Sequence, residues 1–276
     1  MSGKMGSLMI IGGSEDRTDG KAVLERFVQQ AGGPKAAICV LTAASTVPDT
    51  IWAQYDEAFA KLGAGNHSHL KVDERAQADA AGVAEKIARA DGIFITGGAQ
   101  ERLIAATGDT LLHKALHEAL QRGACIAGTS AGASAMAQHM LVSGKTELQA
   151  EKGAIEFGKG YGFASDFVID QHFSQRHRLS RLLSAVAENP QLVGLGIDED
   201  TALLIEQSTS IEVLGGGAVT VIDGRQSVSN AARIKDGECL EIVDVRLHVL
   251  PSGTRYRVGG GPAPFADLLQ RLINIA

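Results

Sequence analysis

Residues 123–136, Gly-Ala-Cys-Ile-Ala-Gly-Thr-Ser-Ala-Gly-Ala-Ser-Ala-Met, constrain this chain more than any other stretch. The apolar run at 124–127 predicts a buried strand, Gly128 and Gly132 flank Ser130, and small residues at helical spacing follow at once. The pattern reads as a nucleophile elbow. A serine at the tip of a tight strand-to-helix turn is pushed out of the sheet, and its neighbours must be tiny because a Cβ on either flank would strike the adjoining strand or helix. The turn aims the amide of Ala131 and the positive end of the helix at Ser130, where an oxyanion would form. A bare G-x-S-x-G is weak evidence, and the strand before it and helix after it give this one its weight.

Around that turn, short apolar runs alternate with helical patterns. Strands are expected at residues 8–11, 36–41, 67–72, 92–96 and in the elbow, separated by helices at about 21–31, 50–62, 80–90 and 110–121. Such alternation implies right-handed βαβ crossovers, and so an α/β fold with a largely parallel sheet flanked by helices, read as one domain over residues 1–276. Residues 143–163 are polar and Gly-rich, a loop with room for one hairpin. Residues 167–173 and 193–197 read as further strands, and 174–188 as a helix carrying Arg176, Arg178 and Arg181. Antiparallel hairpins at the sheet edge are expected over 201–250, before a closing amphipathic helix at 264–275.

Composition excludes several function classes. A hydrophobic content of 45% with 21% charged residues is that of an ordinary soluble globular protein. The net charge of -6 argues against a nucleic-acid partner, because neutralising phosphates needs a clustered basic excess. Cys39, Cys125 and Cys239 are odd in number, far apart and set in apolar runs. They are expected to be buried free thiols of a cytoplasmic protein, not a disulfide framework. The first apolar run meets a Gly-Gly turn too soon for a signal peptide, and no apolar stretch is long enough for a membrane span.

Ligands of open α/β sheets bind at the carboxyl ends of the strands, where the turns Gly12-Gly13 and Gly97-Gly98 both fall. Gly12-Gly13 reads equally as a tight turn without a ligand. The second turn has a clearer task, since an oxyanion needs a donor besides Ala131, and the amide of Gly98 or Gly97 is placed to supply it.

A serine nucleophile also needs a base and a group to orient that base. Of the eight histidines, His113 and His117 lie i, i+4 on one helix, but no third ligand accompanies them, so neither a metal nor another cofactor is expected. His67 and His69 flank a turn, and His139 and His177 lack a strand-end setting. His248 sits where an α/β-hydrolase places its base, yet the HGGG-type turn of that fold is missing. His172, closing an apolar strand between Gln171 and Phe173, is the candidate base; the alternative is a satisfied structural histidine. Glu199, just past the next strand, is the candidate orienter, with Asp198 and Asp200 sent the other way by the strand pleat. A solvated acidic turn is the alternative there.

Five segments in register carry a resemblance. Gly12-Gly-Ser-Glu-Asp16, Thr96-Gly-Gly-Ala-Gln100, Gly128-Thr-Ser-Ala-Gly-Ala-Ser134, the run from Asp170-Gln-His172 to Arg181, and Gly196-Ile-Asp-Glu-Asp-Thr-Ala202 resemble the cyanophycinase family. That family belongs with the peptidase E-like serine peptidases of the class I glutamine amidotransferase-like fold, a flavodoxin-like three-layer arrangement. The match runs through residues 8–205, and the tail is less distinctive. The resemblance implies hydrolysis of cyanophycin, a poly-aspartate with arginine on each β-carboxyl, to β-Asp-Arg dipeptides through an acyl-enzyme. It assigns Ser130 as nucleophile, His172 as base and Glu199 as third member. It gives Gln100, Asp170, Gln171, Arg176, Arg178 and Arg181 to the substrate pocket, and it suggests a homodimer.

The residues fit that reading physically. On the expected helix Arg178 and Arg181 stand i, i+3 with Arg176 near the His172 turn, so guanidinium forks could meet a substrate carboxylate, while Asp170 and Glu15 could meet the substrate's arginine. The bland alternative is a solvated helix face. Two other classes stay open: an aspartyl dipeptidase of the peptidase E type, and a non-catalytic binding protein on the same fold. The Arg-rich segment disfavours the first and the filled triad positions disfavour the second; an amidotransferase proper would want Cys at position 130.

Overall fold

The structure, a computed structural model, describes residues 5–144 and 149–275; residues 1–4, 145–148 and 276 lie outside the description, and with 145–148 part of the loop expected over 143–163. The first half runs β1 (Ser7–Ile11), α1 (Ala22–Gln30), β2 (Ile38–Leu41), α2 (Pro48–Lys61), β3 (His67–Leu70), α3 (Arg75–Ala78), α4 (Ala81–Arg89) and β4 (Gly92–Ile95). Then come α5 (Gln100–Thr107), α6 (Leu111–Arg122), β5 (Cys125–Thr129) and the one-turn α7 (Ala131–Ser134). The second half adds β6 (His139–Gly144), β7 (Ile155–Lys159), β8 (Phe167–Gln171), α8 (Leu179–Glu188), β9 (Val193–Ile197), β10 (Thr201–Glu206) and β11 (Ser210–Gly215). It closes with β12 (Ala218–Asp223), β13 (Val228–Ser229), β14 (Ile242–Val243), β15 (Arg246–Pro251), β16 (Arg255–Arg257) and α9 (Ala266–Ile273).

The main sheet has eight strands in the order β16-β11-β10-β1-β5-β4-β2-β3. Its half from β1 to β3 is parallel, and β10, β11 and β16 add antiparallel pairings beyond β1. Helices cover both faces of the parallel half, so the central strand β1 is apolar without alternation, and Leu8, Met9, Ile10 and Ile11 are all fully buried. α6, which delivers the chain to β5, has clear ends. Thr110 accepts from the His113 amide at its start, and Gly123 stops it in the left-handed region at φ 110°.

The hairpins expected beyond residue 201 divide among three sheets, one of them the separate pair β13-β14. β10 and β11 stay with the main sheet, whereas β12 and β15 join β9 and β8 in a four-stranded sheet ordered β15-β12-β9-β8. One apolar cluster runs through the main and the four-stranded sheet and includes Ile10, Ile126, Ile169, Leu195 and Val221. Each such side chain contributes about 1.5–3 kcal/mol when fully buried, which locks the two sheets together. The polar 143–163 region holds part of an antiparallel hairpin, β6 with β7.

Three local expectations change. The helix expected from residue 174 starts only at Leu179, because His172 and His177 both take φ 51° and left-handed residues interrupt a right-handed helix. Arg178 is therefore the N-cap and Arg176 lies in the preceding turns, so Arg178 and Arg181 do not form an i, i+3 pair inside a helix. α5 carries too few core-facing apolar residues to have signalled itself, burying only Leu103, Ala106 and Thr107. Cys39 and Cys125 are buried free thiols, with burial pushing them up to about 11 and about 12, but Cys239 is exposed, in the segment that pairs with Glu151 by a single bridge. No helix among the described residues is long and apolar enough to cross a membrane.

Candidate active site

β5 lies between β1 and β4, and the chain turns sharply at its end. Ser130 takes φ 52° and ψ −114°, a conformation that costs a non-glycine residue about 1–3 kcal/mol and persists only where its surroundings impose it. The surroundings are close. A Cβ on Gly128 would sit 2.5 Å from the Gly132 carbonyl oxygen, and one on Gly132 would overlap the Ile95 carbonyl. The Ser130 amide donates to the Ile11 carbonyl at 3.1 Å, which ties the tip of the turn to β1.

His172 arrives from the other sheet, at the end of β8. Its Nε2 stands 2.9 Å from Ser130 Oγ and its Nδ1 2.5 Å from Glu199 Oε1. The Gly12-Gly13 turn is the socket for this ring: the Gly12 carbonyl accepts from the His172 amide at 2.8 Å, and a Cβ on Gly13 would sit 2.5 Å from Nε2. The neighbours of Glu199 serve the loops. Asp198 accepts from the amides of Ser174 (3.0 Å) and Ala218 (3.1 Å), and Asp200 from that of Asp16 (2.9 Å). Only Glu199 of the three faces the imidazole.

Burial holds the His172 pKa below its ordinary value, the charges of Arg176 and Arg178 lower it further, and Glu199 pulls the other way. The ring is thus neutral at pH 7 and able to accept a proton. Ala131 is the first residue of α7, so its amide has no intrahelical acceptor. The Gly97 backbone lies alongside Ser130, with a Cβ there 3.2 Å from the serine Cβ, whereas Gly98, at φ 145°, is wedged against Ala44.

The remaining residues separate into two groups. Asp170 is fully buried and accepts from Arg178 Nη1 at 3.0 Å and Arg181 Nε at 2.9 Å, with Arg181 Nη2 also in contact. Arg178 Nη1 donates as well to the Gln171 carbonyl at 2.5 Å and to Gln171 Oε1 at 3.2 Å. Asp170, Gln171, Arg178 and Arg181 therefore form a buried knot behind the His172 turn, while Arg176 is exposed beside it. Gln100, at the start of α5, donates to the carbonyls of Leu141 (3.2 Å) and Val142 (2.8 Å). Away from the site, His113 and His117 both place Nε2 on the Tyr161 carbonyl, at 2.9 and 2.7 Å.

A cavity of about 160 Å³ opens beside Ser130 and His172, walled by Glu15, Arg17, Ile51, Tyr55 and Thr129 among others. Arg17, Tyr55 and Thr129 carry no sequence signal of this role, since they come from a loop, a helix and a strand far apart in the chain.

A model of peptidase family S51 matches residues 8–213. A cyanophycinase of Synechococcus elongatus is 38% identical over 259 residues, covering 93% of this chain and 80% of that protein. A cyanophycinase of Geminocystis herdmanii is 36% identical over 252 residues, covering 91% and 93%. The crystal structure of a peptidase from an acI-B1 Actinobacterium shares the fold with a TM-score of 0.69 at 21% identity, over 93% of this chain and 98% of that one.

Proposed function

The chain belongs to peptidase family S51, and from that premise we propose that it cleaves cyanophycin by a serine mechanism run by Ser130, His172 and Glu199. The observation that carries this reading is the hydrogen-bonded line from Ser130 Oγ through the imidazole to Glu199. As Ser130 Oγ attacks the scissile carbonyl, His172 Nε2 takes its proton, and Glu199 holds Nδ1–H and stabilises the imidazolium. The elbow leaves Ser130 proud of β5 and turns the Ala131 amide toward the oxyanion, with Gly97 or Gly98 as the second donor. The imidazolium then protonates the leaving amine. That amine fragment departs, and water, deprotonated by the same ring, cleaves the ester to free the acyl fragment as an acid and restore Ser130; one of the two fragments is the β-Asp-Arg dipeptide.

Of the residues that the resemblance gives to the substrate, Arg176 is the one with an exposed guanidinium beside His172. Asp170, Gln171, Arg178 and Arg181 act from behind by fixing the His172 turn, and Gln100 braces α5 against β6. The core shared by both sheets supports one peptidase domain. The reading extends to a homodimer in the cytoplasm: Leu247 and Val249 expose an apolar face on the edge strand β15, and free buried Cys39 and Cys125 suit a reducing compartment. Mass spectrometry after incubation with cyanophycin and, separately, with aspartyl dipeptides tests the function. Release of β-Asp-Arg is expected, and cleavage of the dipeptides alone would reject it.

A further inference from the structure

The cavity beside Ser130 contains a carboxylate that the serine mechanism does not use. Glu15 is 3% exposed and lies in the cavity wall. Tyr55 Oη donates to its Oε1 and Thr129 Oγ1 to its Oε2, the latter at 2.5 Å. Both donors are neutral hydroxyls, and a carboxylate offers about four lone-pair positions, so roughly half of its accepting capacity is left. Among the described residues no ion pair includes Glu15. Arg17, on the same wall, is engaged elsewhere: its Nη1 donates to Gln54 Oε1 at 2.7 Å and its guanidinium lies over the Tyr55 ring, 5.3 Å from the centroid.

Arg17 is near Glu15 but not bonded to it. A buried carboxylate with no directly hydrogen-bonded cation is incompletely compensated, and a cation entering the cavity would relieve it. The rest of the wall narrows the kind of cation. Ile51 and the body of Tyr55 suit an apolar stem, and the Glu15 oxygens suit a planar fork of N–H donors. That combination describes an alkylguanidinium better than a metal ion.

We propose that this cavity is the subsite for the guanidinium of the substrate arginine nearest the scissile bond, with Glu15 as its acceptor. The proposal rests on the cyanophycin reading for the identity of the arginine; the demand for a planar cation within reach of Ser130 comes from the cavity. Glu15 is a specificity residue here and transfers no proton. Its two hydroxyl partners suggest a competing role, since a carboxylate that pins Thr129 could simply shape the turn at Ser130.

Paired substrates separate the two roles. A short poly-aspartate carrying arginine on each β-carboxyl is compared with one carrying citrulline, whose urea has the same shape and no charge. Wild type should favour the arginyl peptide by about 10- to 100-fold in kcat/KM, the range for hydrogen bonds to charged groups. Glu15→Gln should bring that ratio close to one. A Glu15→Gln enzyme that slows on both peptides with its ratio intact would overturn the proposal, as would a wild type without preference. Binding supplies a readout that needs neither turnover nor a folded Glu15 variant: calorimetry on Ser130→Ala with acetyl-arginine amide and acetyl-citrulline amide. At least about tenfold tighter binding of the arginine ligand is expected, and equal affinities would sink the subsite. Selective guanidinium binding by a protein that leaves cyanophycin intact would instead reject the cyanophycin reading and keep the subsite.

Discussion

Ser130 Oγ and His172 Nε2 stand 2.9 Å apart although they arrive from different sheets, the serine on β5 and the histidine on β8. The contact thus depends on how the sheets are joined, through the Gly12 carbonyl on the His172 amide and the Ile11 carbonyl on the Ser130 amide. Two successive residues at the end of β1 hold both partners. Removing the hydroxyl leaves this frame untouched. Ser130→Ala should lose activity by several orders of magnitude while melting within a few degrees of wild type. Single-turnover kinetics and a thermal melt check both halves; retention of more than a few per cent of activity would remove Ser130 from the mechanism.

The pH dependence follows from the direction of the His172 shift. With His172 as the proposed base, catalysis needs the neutral ring, so kcat/KM should rise with pH through the folded pKa, which lies below the ordinary 6.5. Arg176 is one cause of the lowering and is exposed. Arg176→Gln should therefore move the acidic limb of the profile to higher pH, and added salt should move it the same way in wild type by screening the same charge. Glu199→Gln acts in the opposite sense on the limb, because it removes the partner that raises the pKa, and it should also lower kcat by up to about 10⁴-fold through loss of the tautomer. Profiles measured at fixed ionic strength decide both.

Gly13 offers a steric test. Its φ of 100° already disfavours any side chain, and a Cβ would overlap Cε1 of His172. Gly13→Ala should destabilise the fold by about 1–3 kcal/mol and should cost about 10²-fold or more in kcat, as the ring is pushed off the serine. Denaturant melts and steady-state kinetics measure the two effects, and a fully active variant would show that the imidazole has room the structure does not give it.

How much of this could be read from the sequence depended on range. The apolar runs at β1, β2, β4 and β5 identify themselves, because strands covered on both faces have no polar alternation to confuse them. His172 and Glu199 were singled out by the ends of two such runs. The allocation of β8 and β9 to a second sheet left no local mark, since a buried strand looks alike in either sheet. The late start of α8 is hard to read because left-handed non-glycine residues are uncommon, and although histidine adopts that region more readily than most, residue type alone does not say which histidine will. Glu15 is legible as a partner for the substrate's arginine, but Tyr55 and Thr129 join it only in three dimensions, so the cavity they wall leaves no mark in the sequence.

Arg178 tests that long-range part directly. Its Nη1 meets the Asp170 carboxylate, the Gln171 carbonyl and the Gln171 side chain, all buried and on the two residues that directly precede His172 in the chain. Lysine keeps the charge and has three donors on its ammonium, but its stem is shorter and the donors are tetrahedral, so it cannot take the place of Nη1 against these acceptors. Arg178→Lys should then lower kcat by about 10- to 100-fold with little change in KM, because the misplaced group is His172 and not a substrate contact. It should also lower the melting temperature, since the fully buried Asp170 carboxylate loses one of its two arginine partners. If Arg178 instead gripped a substrate carboxylate, the same variant would raise KM and leave the melting temperature near that of wild type. The ratio of the two kinetic effects, read beside the melt, separates a residue that holds the base from one that holds the substrate.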